Sequence, residues 1–309
     1  MKQGDYAKTL AWLRTNPSFD ELCARHPDDW AAVQDDIASI IARGIPEELK
    51  EYLERFSSKA ASGQSLQREK SLSQFIRSRM AHEAVKKLSL SALAADTGVT
   101  RGKLRFNWFN GFIAQRLLFA SKLERKPVSL RWFRLLWPLV WQRKRLMPLV
   151  QPRGIYCFYT RELVSELAVL VGERSCLEIG AGEGTLTRFL QAQGVQVTAT
   201  DNHGWSNSVS YPDWVVKLDA CVALDKYKPE VAICSWPPAQ NDFERCVFET
   251  SSVQLYIVIG SRHRFAFGNW NVYRRQKDFE LVEDQRLAAM LLPPELESAM
   301  FVFRRKRAE

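Results

Sequence analysis

The run Cys176-Leu177-Glu178-Ile179-Gly180-Ala181-Gly182-Glu183-Gly184-Thr185-Leu186-Thr187 constrains this chain more than any other segment. An apolar stretch holding one acid ends in three alternating glycines, after which a helix can begin. Glycine alone accepts positive φ without steric cost, so the spacing predicts a tight turn whose bare backbone a ligand can approach closely. A dinucleotide-binding turn has the spacing G-x-G-x-x-G, which differs from G-x-G-x-G here. The acid two residues before the first glycine can fix a polar or cationic part of a ligand.

The same alternation continues on both sides of the turn. Apolar runs at 176–179, 195–200, 214–218, 231–235 and 255–259 are separated by helical stretches. That rhythm predicts βαβ units and a mainly parallel sheet. Two late runs, 279–282 and 299–303, flank Pro293-Pro294 and predict a hairpin added to the sheet edge.

With these stations in order, residues 155–305 resemble class I S-adenosylmethionine-dependent methyltransferases. Glu178 to Gly184 is similar to their motif I. Asp201 ends the next strand, where that family places an acid on the ribose hydroxyls. Asp219-Ala220 matches the adenine-contacting position. Cys234-Ser235-Trp236-Pro237-Pro238 occupies the motif IV position beside the reactive methyl. The resemblance implies a Rossmann-like seven-stranded methyltransferase sheet with helices on both faces, an α/β fold preceded by an all-α N-terminal region. It implies S-adenosyl-L-methionine as cofactor, with Tyr159, Thr160, Glu178, Gly180, Ala181, Gly182, Gly184, Asp201, Asn202, Asp219, Ala220 and Ser235 as contacts. Tyr159 and Thr160 enter because Gly154 to Thr160 resembles an aromatic segment that covers the methionine end of the cofactor.

Motif IV carries the chemistry. Amino-group methyltransferases acting on bases show Asp, Asn or Ser, then Pro-Pro, then an aromatic. Here Ser235 fits, Trp236 intrudes, and Ala239 follows the prolines. Ser235, Trp236, Pro237 and Pro238 are therefore the catalytic candidates, with Ser235 and a carbonyl near Pro237 positioning the acceptor. His203, just past the ribose acid, is a candidate base or an ordinary loop histidine. Asn241 to Glu244 are candidates for the acceptor pocket.

The N-terminal half reads differently. Residues 1–128 have helical periodicity, with a helix-turn-helix resemblance at 90–107. There Ala94 permits close approach, Gly98 supplies a turn, Thr100 caps, and Arg101, Lys103, Arg105 and Asn107 would face a nucleic acid. A plain helical hairpin fits the same pattern. Residues 129–153 interleave Arg131, Trp132, Phe133, Arg134, Trp137, Trp141, Arg143, Lys144 and Arg145. They read as a basic aromatic connector packed on the next domain, or as a surface that stacks on bases. Residues 154–309 form the methyltransferase-like domain.

Charge sharpens this division. Residues 60–150 carry 18 Lys and Arg against 4 carboxylates, whereas the whole 309-residue chain has a net charge of +9. A block this basic suggests a polyanion partner or an acidic neighbouring domain. The four histidines and six cysteines show no metal-ligand spacing, so no metal is expected. The scattered cysteines read as reduced, buried small hydrophobes. No apolar run approaches the ~18 residues of a membrane span, and Met1-Lys2-Gln3-Gly4-Asp5 does not resemble an export leader. The expectation is a cytoplasmic protein.

Three functions follow. The leading expectation is methyl transfer to nitrogen or oxygen of a small-molecule acceptor, in keeping with the altered motif IV. A nucleic-acid methyltransferase would use the basic block to hold DNA or RNA. A DNA-binding regulator would use its C-terminal domain to sense the cofactor.

Overall fold

A computed structural model describes residues 3–15, 17–43, 48, 51–52, 72–85, 108–205 and 209–306. The chain divides into two compact units. One comprises Met1–Leu93 with His263–Phe265; the other comprises Ala94–Arg262 with Ala266–Glu309. The expected helix-turn-helix, including Arg101 and Lys103, lies outside the described residues.

The first unit is helical where described, with helices Gln3–Arg14, Phe19–Arg25 and Pro27–Arg43. Ser18 begins the second of these with a capping box. Its hydroxyl accepts from the Glu21 N–H, and the Glu21 carboxylate accepts from the Ser18 N–H. Residues 72–85 are also helical. Arg77 reaches Asp29 at 2.7 Å and ties that stretch to helix Pro27–Arg43.

Among its described residues the second unit has eleven strands in chain order. They are β1 (Phe119–Ser121), β2 (Glu124–Arg125), β3 (Phe158–Tyr159), β4 (Cys176–Ile179), β5 (Val197–Asp201), β6 (Val216–Lys217), β7 (Val231–Ser235), β8 (Leu255–Ser261), β9 (Phe279–Glu283), β10 (Leu291–Leu292) and β11 (Ser298–Arg305). Seven form one sheet in the order β6-β5-β4-β7-β8-β11-β9. The strands β6, β5, β4, β7 and β8 are parallel, and β11 runs antiparallel to both its neighbours. The sheet is mostly parallel with one reversed strand, in keeping with the expected Rossmann-like α/β fold.

Side-chain alternation along each strand splits the core into two layers. Cys176, Val231, Ile233, Leu255 and Ile257 face one layer with Leu163, Leu167, Leu186, Phe189 and Leu287. Leu177, Ile179, Ala232, Cys234, Tyr256 and Val258 face the other, with Leu224, Val247, Phe248, Trp270 and Tyr273. The central strands are buried on both faces. That is why they read as continuous apolar runs rather than as alternating ones.

As expected, the late strands β9 and β11 pair antiparallel at the sheet edge, with β11 against β8 and β9 outermost; helix Gln285–Ala288 and β10 intervene between them in the chain. Residues 129–153 pack on the domain that follows them. Phe133, Trp137, Val140, Leu146 and Val150 join Leu117, Leu118, Ile155, Phe158 and Leu292 in a third core cluster of the second unit. One expectation is corrected: not all six cysteines are free. Helices Ala220–Tyr227 and Phe243–Glu249 bring Cys221 and Cys246 to a Cα separation of 5.4 Å, where they form a disulfide. Cys157, Cys176 and Cys234 are buried free thiols, as expected. No helix among the described residues is long and apolar enough to cross a membrane.

Candidate active site

The order of the sheet locates the site. The chain winds outward from β4 through β5 and β6, then returns to place β7 on the other side of β4. At such a reversal, the loops leaving the carboxyl ends of the two central strands part and open a crevice for ligands. The loops here are the glycine turn after β4 and the Ser235 segment ending β7.

Gly180, Gly182 and Gly184 all have positive φ, at 61°, 56° and 66°. Gly180 is exposed, and Ala181 and Gly182 are half-exposed, so the turn offers bare backbone to a ligand. Gly184 is buried and starts helix Thr185–Gln191. A Cβ on Gly184 would lie 2.2 Å from the Trp214 ring, and one on Gly182 would lie 3.8 Å from Val209. The loop between β5 and β6 therefore borders the turn, a neighbour that the sequence did not disclose.

Asp201 ends β5 beside this turn. Its two carboxylate oxygens accept the Gly182 N–H at 2.9 Å and the His203 N–H at 2.8 Å. Each oxygen has further lone-pair capacity, so the carboxylate can still receive ligand hydroxyls. Asn202 is exposed and folds its side-chain oxygen onto the Gly204 N–H. His203 stacks on Tyr211 with ring centroids 4.0 Å apart.

Glu178 has a different partner from the one expected. Its carboxylate is buried and turned into the following helix, where it accepts the N–H and the hydroxyl of Thr187. Burial raises its pKa to about 7, against the pull of the two Thr187 bonds and of Arg125. These bonds tie the end of β4 to the start of helix Thr185–Gln191. Thr160 is likewise a structural cap. It is buried, and its hydroxyl accepts the Leu163 N–H at the start of helix Arg161–Val171. Asp219 caps helix Ala220–Tyr227 by accepting the Cys221 N–H at 2.9 Å, with half-buried Ala220 beside it.

Two candidates that are 76 positions apart in the chain meet directly. The Tyr159 and Ser235 hydroxyls are 2.7 Å apart. Burial raises the Tyr159 pKa well above the ordinary phenol value, which keeps the hydroxyl protonated at neutral pH. Trp236 has φ +59°, a sparsely populated conformation for an aromatic residue. Its N–H donates to the Ile259 carbonyl at 2.7 Å, and its ring stacks on Tyr156 at 6.0 Å. The proline carbonyls are engaged within the chain. Pro237 accepts the Gly268 N–H at 3.0 Å, and Pro238 accepts the Asn241 amide at 2.8 Å. Each of these carbonyls keeps a second lone pair.

The bonding of two buried groups was invisible in the sequence. Arg125, in β2, is buried beneath the glycine turn. It donates to the Cys157 carbonyl at 3.1 Å and the Thr185 hydroxyl at 2.8 Å, and lies 3.6 Å from Glu183. One arginine among many bases gives no sequence signal for this role. Glu244, grouped at first with acceptor-pocket candidates, is wholly buried instead. It accepts from the hydroxyls of Tyr256 and Tyr273, the Asn241 amide and the Asn269 N–H. This node braces the loop after Ser235 against the segment after β8.

No family model matches the chain, and no curated protein matches it. Several solved structures are similar to part of it. The CcbJ methyltransferase from Streptomyces caelestis is 13% identical with a TM-score of 0.35, over 48% of this chain and 89% of that one. Burkholderia thailandensis 1,6-didemethyltoxoflavin-N1-methyltransferase, solved with its substrate and S-adenosylhomocysteine, is 14% identical with a TM-score of 0.34, over 60% and 95%. Magnesium protoporphyrin IX methyltransferase from Synechocystis PCC 6803, solved with S-adenosylmethionine, is 13% identical with a TM-score of 0.31, over 47% and 79%.

Proposed function

We propose that the second unit is an S-adenosylmethionine-dependent methyltransferase acting on nitrogen or oxygen of a small-molecule acceptor. One observation carries the reading: a turn with three positive-φ glycines, a carboxylate and a pair of hydroxyls converge at the carboxyl ends of adjacent parallel strands. The residues fit the cofactor. Gly180 to Gly182 would lie against it, and Asp201 would accept from its ribose. The bound sulfonium supplies an activated methyl group with a good leaving group, so the protein's task is chiefly orientation.

Ser235 and Tyr159 would perform that orientation. Their shared hydrogen bond fixes both hydroxyls at the end of β7, where they can receive or donate a bond to an acceptor amine or hydroxyl. Tyr159 acts as a neutral hydrogen-bonding group, because burial disfavours its anion. Trp236, stacked on Tyr156, supplies a flat wall to the same pocket.

Calorimetry with S-adenosylhomocysteine tests the cofactor assignment. The parent protein should bind, and a folded Gly182→Val variant should not, because valine is strained at φ +56° and fills the approach to the backbone. Equal binding by both refutes the assignment. Tyr159→Phe should leave cofactor affinity intact and lower the single-turnover methylation rate about tenfold or more, from loss of roughly one hydrogen bond. An unchanged rate removes the hydroxyl pair from the mechanism.

A further inference from the structure

The helix Trp108–Leu118 has two apolar faces, and the fold uses one. Ile113, Ala114, Leu117 and Leu118 are buried, and Ile113, Leu117 and Leu118 join the third core cluster. Trp108, Phe109 and Phe112 point outward and are 83%, 42% and 57% exposed. Trp141 is 70% exposed and comes from a separate segment. Leaving aromatic side chains of this size in water forgoes a large burial gain, so a contiguous patch of them marks a contact surface.

These rings are arranged in pairs. Trp108 stacks on Phe112 with centroids 5.9 Å apart and planes 22° from parallel. Phe109 stacks on Trp141 at 5.8 Å and 24°. The second pair joins the helix to the segment that carries the basic turn Arg143–Arg145. Helical spacing sets Trp108, Phe112 and Arg116 in line at i, i+4 and i+8.

Charge selects the partner. Residues 108–150 contain nine Lys or Arg and one carboxylate, Glu124. Glu124 is already bonded to Arg188 at 2.6 Å. Arg116, Lys144 and Arg145 are exposed near the aromatic pairs along the chain. Flat rings beside cations match a ligand that has stackable faces and a phosphate backbone. In a duplex the base faces are hidden, so the chemistry fits single strands.

We propose that the surface built from Trp108, Phe109, Phe112 and Trp141, with Arg116, Lys144 and Arg145, binds single-stranded nucleic acid. This assignment is independent of methyl transfer, since none of these residues belongs to the crevice at β4 and β7.

Fluorescence anisotropy of the full chain tests it without cofactor. The probes are a labelled single strand of mixed sequence, the same strand in a duplex, and vesicles of phosphatidylcholine with phosphatidylglycerol. Single strands should bind more tightly than the duplex, with affinity falling steeply as salt rises. Trp108→Ala and Trp141→Ala should each weaken binding roughly five- to hundredfold, the range measured for loss of one base–aromatic stack. Both sites are exposed, so circular dichroism should show unchanged folding. The double variant Arg116→Ala/Lys144→Ala should flatten the salt slope by about one unit per lost phosphate contact. Gly182→Val should bind nucleic acid like the parent, which separates this test from that of the cofactor site. Failure to bind single strands at low salt, equal or tighter duplex binding, or binding to vesicles alone overturns the proposal.

Discussion

Glu178→Gln separates the effect of a buried charge from that of shape. In the folded chain the Glu178 carboxyl has a pKa of about 7, against an ordinary value of 4.5. The difference is worth about 3 kcal/mol at 1.36 kcal/mol per unit. Below pH 4.5 both folded and unfolded chains hold the proton, and no stability is lost. Between 4.5 and 7 the unfolded chain ionises first, so stability falls as pH rises. Above 7 both states are ionised and the full loss remains. Glutamine keeps an oxygen acceptor for the Thr187 N–H without the charge. The stability of Glu178→Gln relative to the parent should therefore rise by up to about 3 kcal/mol between pH 4.5 and 8. Glu244 is also raised by burial, but it is common to both proteins and cancels in the difference. Urea unfolding of parent and variant at several pH values gives the quantity directly. A difference that stays flat from pH 5 to 8 would show that Glu178 is not a desolvated acid and would refute the reasoning.

The remaining predictions concern the turn and its neighbours. Gly184→Ala should lower stability by at least about 1–2 kcal/mol, from left-handed backbone strain plus the clash with Trp214. Adding Trp214→Ala should remove the clash portion alone, and thermal melts of the two variants would show whether it does. Thr160→Ala should cost about 1 kcal/mol as a lost helix cap and leave S-adenosylhomocysteine affinity unchanged. A large loss of affinity in calorimetry would return Thr160 to the cofactor site.

The glycine turn, the strands around it and the acid ending β5 were legible because each depends on short-range sequence. Positive φ demands glycine, and a doubly buried strand demands a continuous apolar run. Pairings were not legible. Tyr159 meets Ser235 across 76 positions, and Arg125 meets Thr185 across 60. Hydrophobic patterning specifies which residues are buried, but not which polar atoms meet there. The bonds of Glu178 to Thr187 were hidden for this reason. An acid before a glycine turn looks the same whether it faces a ligand or the next helix. The Trp236 backbone was hidden as well, because its left-handed conformation is held by the Ile259 carbonyl rather than by local preference. Which of β9 and β11 lies outermost was not legible, because either order calls for two apolar antiparallel runs.

The place of β11 between β8 and β9 makes assembly order matter. β11 spans Ser298–Arg305 and hydrogen-bonds to β8 on one side and β9 on the other. During synthesis, β8 and β9 must both emerge before the strand that joins them. Until then β8 has an open hydrogen-bonding edge lined by apolar residues, the kind of surface on which a second unfinished chain can dock. The parallel half of the sheet can form early, but the sheet closes late. A released chain ending between Glu283 and Ser298 would keep the parallel strands with the β8 edge uncovered. For this topology, the last strand is both a structural element and a safeguard against self-association.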